Sequence, residues 1–362
     1  MKKVLFVATI TKHINTFHIP YLKWFKEQGY EVHVASNGNE QIENCDKHFD
    51  LPFERFPLKI NNLKTYRQLK KIIEENKYEI IHCHTPVGGV LTRLAAKNVR
   101  QNGTRVIYTA HGFHFYKGAP LLNWLIYYPI EKYLSRFTDC LITINKEDFE
   151  LAKKNFRINQ IELVHGVGVD EKKYNVEFTI EEKNKLRHSL GLKNDDFILI
   201  QIGELNKNKN QIMSINVMKD LVKKYDHIKL LIIGSGKLEK KYKNTIVKYE
   251  LQNNVCMLGY REDIPQIFKI SDLLLSLSYR EGLPVNVIEA MFADLPIIAT
   301  DCRGNRDLIN NLVKINDTEK LKYKIEKEYM NRNKKIYNIE KYKIKTILHF
   351  IVEKVYREGK KI

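Results

Sequence analysis

The stretch LLLSLSYREGLPVNVIEAM, residues 273–291, decides the fold. It opens with an apolar run of strand length, passes through a loop at Gly282 and continues in helix-forming residues from Pro284. Proline suits the first turn of a helix, because the N–H that it lacks would have no partner there. The stretch therefore predicts a strand, a glycine loop and a helix, the repeating unit of parallel sheets with helices on both faces.

Apolar runs of strand length recur along the chain, and segments with apolar residues at helical spacing separate them. In the first half they are Val4–Ala8, Val32–Ser36, Ile80–Cys83, Val106–Ala110 and Leu141–Ile144. In the second half they are Phe197–Ile202, Leu230–Ile233, Val255–Leu258, Leu273–Ser276 and Ile297–Ala299. This alternation predicts an α/β protein with two doubly wound parallel-sheet domains.

The predicted domains follow from where the alternation stops and restarts. We expect an N-terminal domain over 1–170, a linker with the first helix of the second domain over 171–194, a C-terminal domain over 195–316 and a basic helical tail over 317–362. Apolar residues of the tail recur at helical spacing between Ile344 and Val355, so the predicted tail helix needs a protein surface to cover them.

Composition sets limits on the function. The net charge of +18 suits an anionic partner such as nucleic acid, anionic lipid or a nucleotide diphosphate, and abundant lysine on solvent-facing segments explains it equally well. No apolar run approaches the roughly 20 residues of a membrane-spanning helix. Met1-Lys2-Lys3 leads directly into the first strand, so we expect a cytoplasmic protein. Five widely spaced cysteines predict neither disulfides nor a zinc site.

Two carboxylates mark the candidate site. Glu281 lies in the predicted loop and Glu289 in the predicted helix, so they face one ligand from different heights, and carboxylates accept hydrogen bonds from the vicinal hydroxyls of a sugar or ribose. The free N–H groups at Gly282, Leu283 and Val285 suit a phosphate or a sugar oxygen. The alternative is that Glu281 caps the helix and Glu289 is solvated.

Glu281 and Glu289, with Gly-Leu-Pro after the first, resemble the E-x7-E motif of glycosyltransferase family 4, group 1, and its capsular and exopolysaccharide branch. The resemblance implies the GT-B fold, in which two Rossmann-like domains face each other across a cleft. It implies a retaining enzyme that uses a UDP-sugar, with Glu281 and the backbone amides after it at the donor sugar and Glu289 on the ribose hydroxyls.

The segment after Phe197–Ile202 carries further donor residues by the same resemblance. Gly203 opens the loop and Lys209 matches the lysine that binds the diphosphate. Glu204 stands where the family has an arginine, so one of two expected cations is missing there. Lys207 or Arg261 is a candidate replacement.

The remaining predicted contacts are divided between the two domains. Tyr260 and Arg261 lie in a segment similar to the one that lines the base pocket, for which an ordinary turn is the alternative. His111 follows a strand and matches a histidine that reaches the donor sugar, so it joins Glu281 as a catalytic candidate, although histidines often only bond locally. Thr11 and His18 lie in the loop where family members contact the acceptor, but the glycines usual there are missing.

The predicted reaction moves a hexose or N-acetylhexosamine to a saccharide. The predicted acceptors are undecaprenyl-diphosphate-linked saccharides of capsule, exopolysaccharide or O-antigen synthesis. Such an acceptor, together with the positive charge, predicts peripheral association with the anionic inner face of the cytoplasmic membrane. The aromatic and apolar stretch 117–133 suits that interface or a core helix. No Asp-x-Asp pair occurs, so we expect no metal cofactor, and Lys209 with helix ends would neutralise the leaving group.

Two other functions stay open at this stage. A UDP-sugar 2-epimerase would use the same scaffold and release free sugar without an acceptor. A basic nucleic-acid- or membrane-binding protein without catalysis would use the charge, but the chain has no known nucleic-acid-binding signature, and we expect no nucleic-acid partner. A dinucleotide-dependent oxidoreductase is excluded, because no G-x-G-x-x-G follows the first strand.

Overall fold

The computed structural model describes residues 1–57, 59–175, 177–332 and 335–357. The chain forms two compact units. Unit 1 consists of Met1–Val167 and Ile347–Ile362, and unit 2 consists of Gly168–Thr346. The division therefore falls three residues before the end predicted for the N-terminal domain, and the predicted tail is shared between the units.

Unit 1 is built on a sheet of seven parallel strands in the order β3-β2-β1-β4-β5-β6-β7. The strands are β1 (Lys3–Ile10), β2 (Glu31–Asn37), β3 (Lys47–Asp50), β4 (Ile80–His84), β5 (Arg105–Ala110), β6 (Cys140–Thr143) and β7 (Gln160–Leu163). Five of them are the predicted apolar runs. The sequence analysis missed β3 and β7, because neither has a fully buried residue and their sequences are not apolar.

Helices cover the sheet of unit 1. They are α1 (Thr11–Phe17), α2 (Ile19–Glu27), α3 (Asn61–Asn76), α4 (Pro86–Ala95), α5 (Lys97–Gln101), α6 (Leu121–Leu134) and α7 (Lys146–Asn155). Buried residues of the strands form two apolar clusters, one of which contains Val4, Phe6 and Val34 and the other Leu5, Val7 and Ile81. The strands are therefore apolar on both faces, as a sheet covered on both sides requires.

The C-terminal helix has its covering surface within its own chain. Helix α15 (Ile344–Phe350) continues as a π-helical segment, Ile351–Arg357. Val352, Val355 and Tyr356 are buried in the first apolar cluster of unit 1, and the Tyr356 hydroxyl lies 2.7 Å from Nδ1 of His82. The apolar stripe predicted from the tail thus packs against unit 1.

Unit 2 is built on six parallel strands in the order β10-β9-β8-β11-β12-β13. The strands are β8 (Phe197–Ile202), β9 (Ile228–Ile233), β10 (Val255–Gly259), β11 (Leu273–Ser276), β12 (Ile297–Thr300) and β13 (Leu312–Val313). The helices are α8 (Ile180–Ser189), α9 (Gln211–Leu221), α10 (Glu239–Lys248), α11 (Ile264–Ile270), α12 (Val285–Phe292), α13 (Arg303–Arg306) and α14 (Thr318–Asn331). The predicted strands are confirmed, and only the two-residue β13 was missed.

The strand order decides which loops of unit 2 meet. Strand β8 pairs with β11, with Leu273 opposite Leu199, although more than 70 residues separate them along the chain. Because parallel strands end at one edge of the sheet, the loops after β8 and β11 lie side by side. Helix α12 begins at Val285, so Pro284 precedes the first turn and does not lie in it as predicted.

None of the helices in the described residues is both long enough and apolar enough to span a bilayer.

Candidate functional site

The predicted phosphate-binding lysine and the predicted donor glutamate form an ion pair in unit 2. Lys209 Nζ lies 2.6 Å from Glu281 Oε1, and the two side chains are 24% and 12% exposed. Two hydrogen bonds join their loops, since the Tyr279 backbone N–H donates to the Asn208 carbonyl at 2.8 Å and the Asn208 side-chain amide donates to the Arg280 carbonyl at 3.0 Å. The pairing of β8 with β11 therefore brings together two residues that the sequence placed at one site.

Glycines shape the two loops by close approach. Gly234, at a φ of +134°, lies so near the loop after β8 that an added Cβ would stand 2.1 Å from the Gly203 carbonyl oxygen. A Cβ on Gly304 would stand 2.6 Å from the Gly282 carbonyl oxygen. Arg303, the first residue of α13, donates from Nε to the Glu281 carbonyl at 3.1 Å. The sequence analysis assigned Gly234 and Arg303 no role, because only the fold places them against the loops.

Glu289 lies in α12 beside a residue that the sequence analysis missed. The Tyr174 hydroxyl hydrogen-bonds the Glu289 carboxylate, and Lys173 contributes a nearby positive charge. Burial raises the pKa of the Glu289 carboxyl, and the hydrogen bond from Tyr174 opposes that shift. Glu289 is thus half-buried and already bonded, which excludes the alternative of a fully solvated surface glutamate.

Neither candidate replacement for the missing arginine has a clear claim to that place. Glu204 and Lys207 are exposed. Arg261 binds the Asp263 carboxylate through two hydrogen bonds, 2.8 and 2.6 Å long, so a neighbouring negative charge already compensates its own. Arg261 would have to leave Asp263 before it could bind a phosphate.

The other predicted donor residues are distributed around these loops. Gly203 follows β8 directly, Gly282 and Val285 flank the start of α12, Leu283 is buried, and Tyr260 is 69% exposed. An exposed aromatic ring after β10 is compatible with stacking on a base.

In unit 1 the predicted acceptor residues, Thr11 and His18, are buried, whereas the sequence analysis placed them in a loop that contacts the acceptor. Thr11 is fully buried, and its hydroxyl hydrogen-bonds the Gly38 carbonyl at 2.9 Å and the Ser36 hydroxyl at 2.9 Å. The Thr11 hydroxyl thereby joins α1 to the end of β2, and the acceptor contact of Thr11 stays a prediction. His18 is buried too and stacks on His84, with ring centroids 3.8 Å apart.

A cleft of about 350 Å³ opens near these residues, at the carboxyl ends of β1 and β4. It is lined by Thr9, Ile10, His13, Arg55, Pro57, Thr85, Pro86, Val87, His114 and Tyr127. Thr85 has a φ of +65° and a ψ of 152°, a backbone conformation that is rare outside glycine, and such strain persists mainly at functional sites. His111 follows β5 at the same edge of the sheet. Threonine at a strained position gives no sequence signal, so the cleft was not predicted.

Helix α6 settles the interpretation of the aromatic stretch 117–133. Glu131 is buried and receives two hydrogen bonds from Arg93 of α4, 2.7 and 3.0 Å long. The opposite face is exposed and apolar, and it carries Leu121, Leu122, Leu125, Ile126, Ile130 and Tyr133. The stretch is therefore half core helix and half surface.

Comparisons with known proteins agree with this architecture. Residues 182–345 match the family model described as glycosyl transferases group 1, and residues 3–145 match the model described as glycosyl transferase 4-like. The chain is 46% identical over 334 residues to EpsD of Bacillus subtilis (strain 168), which is named as a glycosyltransferase, and the match covers 91% of this chain and 87% of EpsD.

A second relative and a solved structure extend the comparison. The chain is 30% identical over 271 residues to the UDP-Gal:alpha-D-GlcNAc-diphosphoundecaprenol alpha-1,3-galactosyltransferase of Escherichia coli, with 72% of this chain and 68% of that protein covered. The crystal structure of Anabaena Alr3699/HepE in complex with UDP and glucose superimposes with a TM-score of 0.79 at 18% identity, covering 98% of this chain and all of that one.

Proposed function

Because this chain belongs to the group 1 glycosyltransferases of family 4, we propose that it is a retaining hexosyltransferase that uses a UDP-sugar and a lipid-linked saccharide acceptor. The observation that carries the proposal is the ion pair between Lys209 and Glu281 at the carboxyl edge of a doubly wound sheet, where such sheets bind their ligands. CapM of Staphylococcus aureus, a capsular polysaccharide biosynthesis glycosyltransferase 24% identical over 343 residues, supports the proposed role in capsule or exopolysaccharide synthesis. The galactosyltransferase of Escherichia coli, which acts on a diphosphoundecaprenol-linked sugar, supports the proposed lipid-linked acceptor.

Lys209 and Glu281 have separate tasks once a donor is bound. The diphosphate carries more negative charge than one carboxylate, so the Lys209 ammonium turns from Glu281 to the phosphate oxygens. Glu281 is then released to accept hydrogen bonds from the hydroxyls of the donor sugar. In the absence of a donor, the ion pair keeps both charges compensated.

We propose that transfer with retention proceeds on the front face, so that the acceptor oxygen approaches the anomeric carbon from the face that UDP leaves. The bond between the anomeric carbon and the β-phosphate oxygen breaks, and the acceptor hydroxyl forms the new bond on the same face. The hydroxyl proton passes to the departing phosphate oxygen. Lys209 stabilises the negative charge that develops on that oxygen, and such aimed charges account for much of enzymatic rate enhancement.

Glu289 is proposed to bind the ribose. Its carboxylate accepts hydrogen bonds from both ribose hydroxyls, and Tyr174 keeps it oriented through the hydroxyl contact. Tyr260 is proposed to stack on the base, and Gly203, Gly282, Leu283 and Val285 supply backbone groups around the donor. Arg303 is a positioning residue that holds the Glu281 loop.

The acceptor is proposed to enter the unit 1 cleft. Arg55 supplies a cation for an acceptor diphosphate, and the hydroxyls of Thr9 and Thr85, 2.6 Å apart, lie beside it. His111 remains a proposed catalytic residue that contacts the donor sugar. A UDP-sugar 2-epimerase is the alternative, and analysis of products with and without a saccharide acceptor distinguishes the two, because the epimerase releases free sugar in both cases.

The exposed apolar face of α6 is proposed to enter an anionic membrane surface. Lys117, Lys132 and Arg136 are exposed close to it in sequence, and the net charge of +18 favours anionic headgroups. Sedimentation with phosphatidylglycerol vesicles should decrease strongly in Leu122→Asp/Leu125→Asp and remain unchanged in Leu63→Asp, an exposed leucine of α3. If the wild type is a dimer in solution and the double variant is a monomer, the apolar face of α6 instead binds a second copy of the chain.

The first experiment is calorimetric titration of UDP, GDP and ADP into the chain in EDTA. We expect UDP to bind most tightly, Lys209→Ala to lose at least about tenfold in affinity because it removes a charge-assisted contact, and Lys207→Ala, a neighbouring exposed lysine, to behave like the wild type. If none of the three nucleotides binds, or if Lys209→Ala binds normally, the proposed donor site is refuted.

A further inference from the structure

Unit 1 contains a cluster of four histidines, and the proposed transfer chemistry assigns a role to one of them, His111. His13 lies on α1, His18 between α1 and α2, His84 at the end of β4 and His111 after β5. One ring nitrogen from each lies within 4.8 Å of those of the others. The carboxyl ends of neighbouring strands thus bring together residues that are up to about 100 positions apart.

The ring nitrogens of this cluster lack the partners that buried nitrogens need. Nε2 of His13, both nitrogens of His18 and of His84, and Nε2 of His111 are buried without a hydrogen-bond partner among the described residues. A buried polar atom without a partner costs about 1–3 kcal/mol. Six such atoms in one place indicate a ligand that the polypeptide itself does not supply.

His82 provides the comparison within the same strand. It is buried two residues before His84, yet its Nδ1 lies 2.7 Å from the Tyr356 hydroxyl and its Nε2 lies 2.8 Å from the Thr109 hydroxyl. This part of the core therefore supplies hydrogen-bond partners to both ring nitrogens of a buried histidine that lies outside the cluster. The four clustered histidines differ from His82 in that six of their ring nitrogens have no hydrogen-bond partner among the described residues, while one nitrogen of each ring lies close to those of the other three.

The cluster also has the chemical state of a ligand set. Burial lowers the pKa of His13 to about 4 and lowers the pKa values of His18, His84 and His111 as well, so the rings are neutral near pH 7. Neutral imidazole is the form that donates a lone pair to a metal ion. Four nitrogens at about 2.0–2.1 Å from Zn²⁺ lie about 3.3 Å apart, so side-chain shifts on the order of 1 Å close the site.

We propose that His13, His18, His84 and His111 bind one divalent transition-metal ion of the kind that prefers imidazole, with Zn²⁺ as the first choice. The ion would join α1, the turn before α2 and the ends of β4 and β5, and would therefore hold one wall of the unit 1 cleft, which includes His13. The sequence analysis predicted no metal site, because it looked for closely spaced ligands and for Asp-x-Asp.

The proposal does not depend on the donor site. All four ligands belong to unit 1, whereas Lys209, Glu281 and Glu289 belong to unit 2. Binding of UDP in EDTA tests the donor site, and metal binding tests the histidine cluster, so that the failure of either proposal can be recognised separately.

The test uses the full-length chain without a histidine tag, treated with EDTA and then freed of chelator. Titration with Co²⁺ should give one equivalent per chain and visible d–d bands of a four-nitrogen tetrahedral site, without the ultraviolet charge-transfer band of a thiolate ligand. Zn²⁺ should bleach these bands at one equivalent and raise the melting temperature. EDTA should reverse both effects.

Variants identify the ligands. His13→Gln and His111→Gln alter the half-buried members of the cluster, and each should lower the affinity for Zn²⁺ by about 100-fold or more, since even loss of an outer contact to a ligand costs 10–100-fold. His48→Gln is the matched control, because His48 is a half-buried histidine of unit 1 that bonds Ser36 outside the cluster, and it should bind as the wild type does.

The proposal is overturned if the folded wild-type chain binds no Co²⁺ or Zn²⁺ at micromolar concentration, or if a thiolate band shows that cysteine supplies the ligands. The proposal is also overturned if His13→Gln and His111→Gln both bind Zn²⁺ with the affinity of the wild type. Circular dichroism confirms that each variant is folded, and if one variant fails to fold, the wild-type stoichiometry and spectrum still decide.

Discussion

Replacement of Glu281 by glutamine tests the proposed exchange of partners at Lys209. The variant keeps the size and hydrogen-bonding groups of the side chain but removes its charge, so the Lys209 ammonium loses the carboxylate that lies 2.6 Å away. An ion pair with side chains 24% and 12% exposed lies near the upper end of the range for partly exposed pairs, about 1 kcal/mol. Because Glu281 then no longer competes with UDP for the Lys209 ammonium, UDP should bind up to about fivefold more tightly.

Transfer should respond in the opposite direction. If Glu281 contacts the donor sugar in the transition state, its loss should lower the turnover number by about 100-fold or more, as the removal of one aimed polar contact typically does. Lys209→Ala should weaken UDP binding and leave an uncompensated Glu281 charge beside the diphosphate. The double variant Lys209→Ala/Glu281→Gln should therefore bind UDP more tightly than Lys209→Ala alone.

Calorimetry measures UDP affinity and an assay of UDP release measures turnover. Both are applied to the wild type, Glu281→Gln, Lys209→Ala and the double variant. Near-normal turnover in Glu281→Gln would refute the catalytic assignment. UDP binding that weakens in Glu281→Gln as much as in Lys209→Ala would refute the exchange of partners, because it would show that the glutamate supports the lysine in the bound state.

Three further predictions concern stability. Gly234→Ala should destabilise unit 2 by about 3 kcal/mol or more and abolish UDP binding, because its Cβ would stand 2.1 Å from a backbone carbonyl oxygen. Gly259→Ala is the control, because Gly259 has a φ of +68° but open space around it, and this variant should cost only about 1–2 kcal/mol. Equal losses of the two variants in denaturant titrations would contradict the prediction. Arg93→Met should cost about 3–5 kcal/mol by leaving buried Glu131 unpaired, and Arg93→Met/Glu131→Leu should recover most of it; additive losses would argue against a coupled pair. Because burial raises the pKa of Glu289, the folded state holds its proton more tightly than the unfolded chain, so stability should fall as pH rises from the ordinary glutamate pKa through the raised value; Glu289→Gln should abolish that fall, and an unchanged pH profile in the variant would refute it.

The family and the fold class were predicted correctly from short stretches of sequence. The E-x7-E spacing at Glu281 and Glu289 indicated the family to which the chain belongs, and the alternation of apolar runs with helical segments indicated parallel sheets covered by helices. Both signals are local, because strand length, helical periodicity and motif spacing are properties of neighbouring residues. The donor nucleotide, the acceptor and the roles of individual residues remain predictions.

The sequence did not show the surroundings of residues whose environment depends on distant segments. Thr11 looks like a loop residue in sequence, but the end of β2 buries it and takes up its hydroxyl. Arg261 is a candidate cation in sequence, and the structure shows that Asp263 binds it. The tail needs a protein surface for its apolar residues, and the structure shows that unit 1 provides that surface.

The sequence by itself determined the alternation of apolar strands with helices, its restart in a second α/β unit and the presence of a lysine and two glutamates at the expected spacing. Only the tertiary structure decided which of these side chains meet. Strand order places β8 beside β11, and so pairs Lys209 with Glu281, and the shared carboxyl edge of β1, β4 and β5 gathers the histidine cluster. Sequence periodicity carries no information on strand order, because side-chain contacts between segments that are far apart form only when the sheet assembles.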